Sequence, residues 1–162
     1  MTTLTIATPD EMAGLGARLA AELRAGDLLA LNGELGAGKT TLTRGLGAAL
    51  GVRGTVTSPT FVLARTHQRV SGGPPLVHVD AYRLSSPAEL DDLDIDYAAS
   101  IVVVEWAAGM LDGLTDDWLE IDIARPTGAD GSDALDDDDV AEPRQVTITG
   151  HGARWAGFTP IR

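Results

Sequence analysis

Residues 33–40 read Gly-Glu-Leu-Gly-Ala-Gly-Lys-Thr and fill the pattern G-x-x-x-x-G-K-[ST] at every fixed position. No other stretch of the chain restricts its fold as much, because this pattern works only between a strand and a helix. Both flanks are present. Residues 27–32 (DLLALN) form a short, nearly continuous apolar run of the kind buried on both faces of a sheet. After the loop, Leu42, Leu46 and Leu50 recur at helical spacing until Gly51 ends the run. Strand, glycine loop and helix in that order call for an α/β fold, with a mostly parallel central sheet flanked by helices.

The loop carries its own chemistry. Its glycines let the backbone fold into a nest of N–H groups aimed at phosphate oxygens, helped by the N-terminus of the next helix. Lys39 would reach the β- and γ-phosphates of a nucleotide, and the Thr40 hydroxyl would ligate Mg²⁺. Gly33, Glu34, Leu35, Gly36, Ala37, Gly38, Lys39, Thr40 and Thr41 are therefore the candidate nucleotide-binding residues. A chance glycine-rich turn matches this pattern in a chain of such length on the order of once in a hundred sequences or less. Composition argues further against chance: eleven of the twelve basic residues are Arg, and Lys39 is the only lysine. A compact ammonium is what a phosphate site asks for.

Along the rest of the chain, Thr8-Pro9-Asp10-Glu11 reads as a capped helix start, followed by Met12, Leu15, Leu19 and Leu23 at helical spacing up to Gly26. Ser58-Pro59-Thr60 forms a turn into the strand-like Phe61-Val62-Leu63, where switch segments of nucleotide-hydrolysing proteins sit. Residues 76–80 (LVHVD) form a strand, and Ser86-Pro87-Ala88-Glu89 opens a second, short helix reaching about Leu93. Residues 101–104 make a buried strand that ends at Glu105-Trp106. Residues 118–123 and 145–149 alternate as half-buried strands do, which gives a C-terminal antiparallel hairpin. Between them, residues 128–143 (GADGSDALDDDDVAEP) are acidic and poor in apolar residues, and read as a flexible loop of that hairpin. Asp91, Asp92 and Asp94 read as a solvated helix face.

A nucleotide site of this type needs a carboxylate at a neighbouring strand end to hold Mg²⁺ directly or through water. Asp80 and Glu105 are both so placed, and the residues alone leave open which of them touches the metal. His67, His78 and His151 lack metal-ligand spacing. A regulatory GTPase is disfavoured, since no N-K-x-D or D-x-x-G occurs and Asn32 is the only asparagine. A small-molecule kinase is the alternative, although Arg65, Arg69 and Arg83 are scattered where a phosphoryl-clamping lid would cluster them. The net charge of −12 disfavours a broad nucleic-acid-binding surface. The absence of cysteine, of a secretory leader pattern and of an apolar run of membrane-spanning length makes a cytoplasmic protein the default.

Taken together, GELGAGKTT, then SPTF at 58–61, HVDAYRL at 78–84 and VVVEW at 102–106 resemble the bacterial TsaE (YjeE) family in order and spacing over roughly residues 8–124. The resemblance implies a P-loop fold and a Mg²⁺-dependent ATPase. It also implies a role in forming threonylcarbamoyladenosine beside the anticodon of tRNAs reading codons that start with A. The family acts with TsaD and TsaB, so tRNA would be met only through those partners. By position, Lys39 and Thr40 are the P-loop pair, Glu105 the Mg²⁺ ligand, and Asp80 the carboxylate near the γ-phosphate and water. The segment holding Glu11 would lie near the adenine. On this reading residues 1–162 are one P-loop ATPase domain, from whose family pattern the acidic segment 128–143 departs.

Overall fold

The computed structural model describes residues 1–34, 36–54, 56, 64–107, 109–111, 114–125 and 143–159. Strand β1 (Thr2–Ile6) leads into helix α1 (Pro9–Ala20). Thr8 caps that helix, its hydroxyl accepting from the Glu11 N–H at 3.1 Å, and Glu11 reaches back to the Ala7 N–H at 2.8 Å. The expected capping box is therefore present with its second bond shifted one residue outward. The helix stops six residues short of Gly26. The chain turns after Ala20, and Leu23 packs on the core from outside the helix.

Strand β2 (Leu28–Gly33), helix α2 (Lys39–Leu50), β3 (Ala64–His67), β4 (Leu76–Asp80), the short α3 (Pro87–Asp91), β5 (Ile101–Glu105), β6 (Trp118–Ala124) and β7 (Arg144–His151) follow, and a single 3-10 turn at Ala153–Trp155 closes the described fold. Gly51 terminates α2 at φ +74°. The seven strands form one sheet in the order β1-β7-β6-β2-β5-β4-β3. The four central neighbours β6, β2, β5 and β4 run parallel, and β3, β7 and β1 add antiparallel edges. The expected parallel core and C-terminal hairpin are both there. Strand β1 was not anticipated: it pairs with β7 in the register Thr3↔Thr147.

Both faces of the central strands are covered, which is why β2 and β5 read as unbroken apolar runs. Leu29, Leu31, Ile101, Val103, Ile121 and their neighbours pack under α1 and α2. Leu28, Ala30, Val102, Val104, Val77 and Val79 face the other way, against Leu90 of α3 and the segment holding Met110 and Leu111. The two long helices cross at very close range. A Cβ on Gly16 would strike the Leu42 carbonyl, and one on Gly45 would strike the backbone of Ala13. Both helices cover one face of the sheet, and the loop from β2 into α2 puts the start of α2 at the carboxyl end of β2, where an open α/β sheet binds its ligand.

Candidate nucleotide-binding site

The loop leaves β2 at Gly33 and enters α2 at Lys39. A Cβ on Gly33 would sit 2.7 Å from the Ile123 carbonyl of the adjacent strand, so β6 and the loop can meet only over a glycine. Gly38, at φ +117°, is the N-cap of α2 and has no side chain to offer that helix's first N–H groups. They remain available to an anion, in contrast to α1, whose cap is filled by Thr8.

Lys39 is buried, and its ammonium is already organised. It donates to the carbonyls of Gly33 at 2.6 Å and Glu34 at 3.0 Å, and lies 4.1 Å from the centre of the Trp106 ring. Burial pushes its pKa below the usual lysine value, while the carboxylates of Glu105 and Asp80 pull it up. Both acids stand near enough for their charge to favour the ammonium form.

Strand register explains that proximity. Glu105 pairs with Asp80 on one side and with Leu31 on the other, which lines up the carboxyl ends of β4, β5 and β2. Alternation along the strands turns Glu105 and Asp80 to the same face as Ile101, Val103 and Leu76, the face covered by α2. Glu105 is 4% exposed, and Asp80 is half-buried with its Oδ1 accepting from the Tyr82 N–H at 3.0 Å. Thr40 is half-buried in the first turn of α2.

Several neighbours have no role assigned by the sequence pattern, Trp106 and His78 among them although they lie within VVVEW and HVDAYRL. Trp106 holds φ +60°, a conformation that costs a bulky residue about 1–3 kcal/mol and is found where surrounding structure imposes it. Its N–H donates to Leu31 at 2.9 Å, and its ring meets both Lys39 and Tyr82. Asn32 ties two strand ends together: its Nδ2 donates to Asp122 at 3.0 Å, and its Oδ1 accepts from the Ala107 N–H at 3.1 Å. Arg144, from β7, donates from Nε to the Ala37 carbonyl at 3.2 Å. A Cβ on Gly36 would lie 3.5 Å from a terminal nitrogen of Arg125. His78, to which sequence spacing assigned nothing, sits fully buried with Nε2 3.1 Å from Glu105 Oε2.

The structure brings Gly33, Glu34, Gly36, Ala37, Gly38, Lys39, Thr40, Asp80 and Glu105 to one end of the sheet, with Thr41 in the same helical turn as Thr40. Glu11 is exposed and occupied as a helix-cap acceptor, but Met12 beside it comes within 3.3 Å of where a Gly38 Cβ would be, so the start of α1 adjoins the loop. Leu35, Ser58, Thr60, Phe61 and the acidic stretch from 128 to 142 lie outside the described residues. Among the described residues no helix is long and apolar enough to cross a membrane.

A parallel sheet whose central strand runs through this glycine loop into a helix, with acids at the ends of the next two strands, defines a P-loop nucleotide-binding protein. The particular family follows from comparison. The family model described as "Threonylcarbamoyl adenosine biosynthesis protein TsaE" matches residues 6–131. The chain is 57% identical to the tRNA threonylcarbamoyladenosine biosynthesis protein TsaE of Streptomyces coelicolor, over 90% of this chain and 94% of that one. It is 35% identical to the Bacillus subtilis protein of the same name, over 91% of this chain and 84% of that one. The crystal structure of Bacillus subtilis YdiB superposes with a TM-score of 0.70 at 30% identity, covering 96% of this chain and 89% of that one. This chain belongs to the TsaE family.

Proposed function

We propose that this chain is the Mg²⁺-dependent ATPase of tRNA threonylcarbamoyladenosine formation, acting with TsaD and TsaB and meeting tRNA through them. The observation that carries the proposal is the convergence of Lys39, Asp80 and Glu105, from α2, β4 and β5, beside an N-terminus with no side-chain cap. Family membership supports the nucleotide-binding reading and the pathway.

On this proposal the loop N–H groups from residue 33 to 40 cradle the phosphates, and Lys39 neutralises charge that builds on the β- and γ-phosphoryl oxygens. The available donors are a hydroxyl and carboxylates, the hard oxygen ligands that suit Mg²⁺. Thr40 and Glu105 would hold the ion, which supplies charge neutralisation across the β- and γ-phosphates. Asp80, fixed by the Tyr82 N–H, orients the attacking water. With Glu105→Gln, the Mg²⁺ concentration needed for half-maximal phosphate release is expected to rise at least about tenfold. Asp80→Asn is expected to lower turnover at saturating Mg²⁺ with that midpoint unchanged. The reverse pattern in a Mg²⁺ titration exchanges the two roles.

Fast hydrolysis also needs positive charge over the leaving and transferred groups, often an arginine supplied by a partner. Arg83 follows Tyr82 at the rim of the site and is exposed, so it is free to answer a docked protein. The chain alone is expected to hydrolyse ATP slowly, and purified TsaD–TsaB to accelerate it by an order of magnitude or more. Arg83→Ala is expected to lose only the stimulated part. The measurement is phosphate release with and without the partners, beside threonylcarbamoyladenosine formed on tRNA. Absence of binding and stimulation, with modification cycling unaided, defeats this reading; phosphorylation of a small acceptor would put a kinase in its place.

A further inference from the structure

His78 lies in β4 between Val77 and Val79, with no exposed surface. An imidazole in the middle of a buried strand is an unfavourable choice over Val or Ile unless its nitrogens are used. Among the described residues neither ring nitrogen has a hydrogen-bond partner; Nε2 lies 3.1 Å from Glu105 Oε2, close enough for one but not aligned for it. The ring therefore contributes nothing to sheet cohesion that an aliphatic residue would not supply better. Its short polar approach is to the carboxylate at the end of the neighbouring strand.

That relation is built by register. His78 pairs with Val103 and Asp80 with Glu105, so the residue two before Asp80 on β4 stands diagonally beneath the acid on β5. Alternation puts all three side chains on the face covered by α2. Lys39 approaches from the other side, with two of its three N–H donors given to the Gly33 and Glu34 carbonyls.

We propose that His78 is a positioning residue for Glu105: from 3.1 Å a small rotation lets its Nε2–H donate to Oε2 and hold the carboxylate in place for the Mg²⁺–nucleotide. A ligating carboxylate gains affinity when an outer partner fixes its rotamer and one of its oxygens. A buried carboxylate with no such donor would be free to rotate and more costly to keep ionised. The inference rests on the proposed reading of Glu105 as a metal ligand and extends it to a residue that touches neither metal nor nucleotide.

The test reads nucleotide binding, separately from turnover. Affinity for a fluorescent ATP analogue is measured in EDTA and across a Mg²⁺ titration for the unsubstituted chain, His78→Phe, His78→Gln and Glu105→Gln. Gln places an amide N–H close to where Nε2–H stands; Phe fills the space and donates nothing. His78→Phe is expected to keep its affinity in EDTA within about twofold and to raise the Mg²⁺ midpoint about tenfold or more. His78→Gln is expected to restore most of the shift, and Glu105→Gln to reproduce it. Should His78→Phe not fold, His78→Met makes the same comparison, since it too lacks a donor. The proposal falls if the donor-free variant titrates like the unsubstituted chain, if Gln and Phe shift the midpoint equally, or if affinity drops as much in EDTA as in Mg²⁺. If Glu105→Gln itself leaves the Mg²⁺ dependence untouched, the reading of Glu105 fails and takes this one with it. A shift in Glu105→Gln without one in His78→Phe removes only the role given to His78.

Discussion

Lys39→Ala is expected to reduce ATP turnover at least about a hundred- to a thousandfold, the usual effect of deleting a donor aimed at transition-state charge. The loss should exceed that of any other single substitution in the site, because no other lysine exists to stand in. Lys39→Arg is expected to be nearly as inactive. The lysine side chain is held between two loop carbonyls and the Trp106 ring, and a planar guanidinium is too broad for that slot. The fold should survive both changes. Glu34 is exposed and Gly33 half-buried, so water can reach the carbonyls that Lys39 leaves, and the stability loss should stay near 1–2 kcal/mol. Phosphate release beside thermal melting checks both halves. Unchanged turnover in Lys39→Ala would mean that the loop does not bind the nucleotide that is hydrolysed.

The second large effect concerns stability. Gly45→Val should destabilise the protein by about 3 kcal/mol or more, lowering Tm by roughly 10 °C. The added Cβ overlaps the backbone of Ala13, which has no side-chain rotamer with which to yield, so α1 and α2 must separate. Gly14→Ala is the control on the same helix pair. A Cβ there meets nothing within 4 Å, and Ala favours helix over Gly by up to about 1 kcal/mol, so Tm should hold or rise. If both variants melt alike, the close helix crossing is not what these glycines serve. Since α2 also presents Lys39 and Thr40, the same substitution at 45 should weaken nucleotide binding through displacement of the helix.

How much of this was readable from the chain depended on how local each signal is. β2, α2, β4 and β5 are each written in one contiguous stretch: an apolar run or a helical period, closed by Gly33, Gly51, Asp80 or Glu105. Lys39, Asp80 and Glu105 could accordingly be named in advance, two of them as the polar ends of apolar runs. What brings them together is register, and nothing in the sequence states that Asp80 stands opposite Glu105. His78, the first residue of HVDAYRL, has no role legible in the sequence for the same reason: the acid it approaches is on another strand. Asn32 and Arg144 are similar, with contacts to Asp122, Ala107 and Ala37 made across the sheet or from its far hairpin. A histidine inside an otherwise aliphatic strand, two residues before an acid, was the available clue.

The misplaced element ends have the same origin. Leu23 continues the period of Leu15 and Leu19, so a helix to Gly26 was the local reading. The chain instead turns there, and Asp27 accepts two hydrogen bonds from Arg154, at 2.9 and 3.0 Å, 127 residues away. β1 does alternate, Leu4 and Ile6 inward against Thr3 and Thr5 outward, but five residues are too few for that period to stand out, and among the described residues its ladder partner is the distant β7.

That last pairing has a consequence for how the chain is made. β1 leaves the ribosome long before the strand it pairs with, since Thr3 and Thr147 are 144 residues apart. At roughly 5–20 residues per second, the β1 segment waits on the order of 7–30 s before its partner has been synthesised. Throughout that interval Ile6, destined for the core, has no Val146 or Ile148 to pack against. α1, by contrast, has α2 within reach only a few dozen residues later. The helix pair and the glycine loop can thus take shape on the nascent chain while the sheet they sit on is still missing an edge, so the outer wing of the sheet, and not its nucleotide end, is the part exposed longest to wrong pairing.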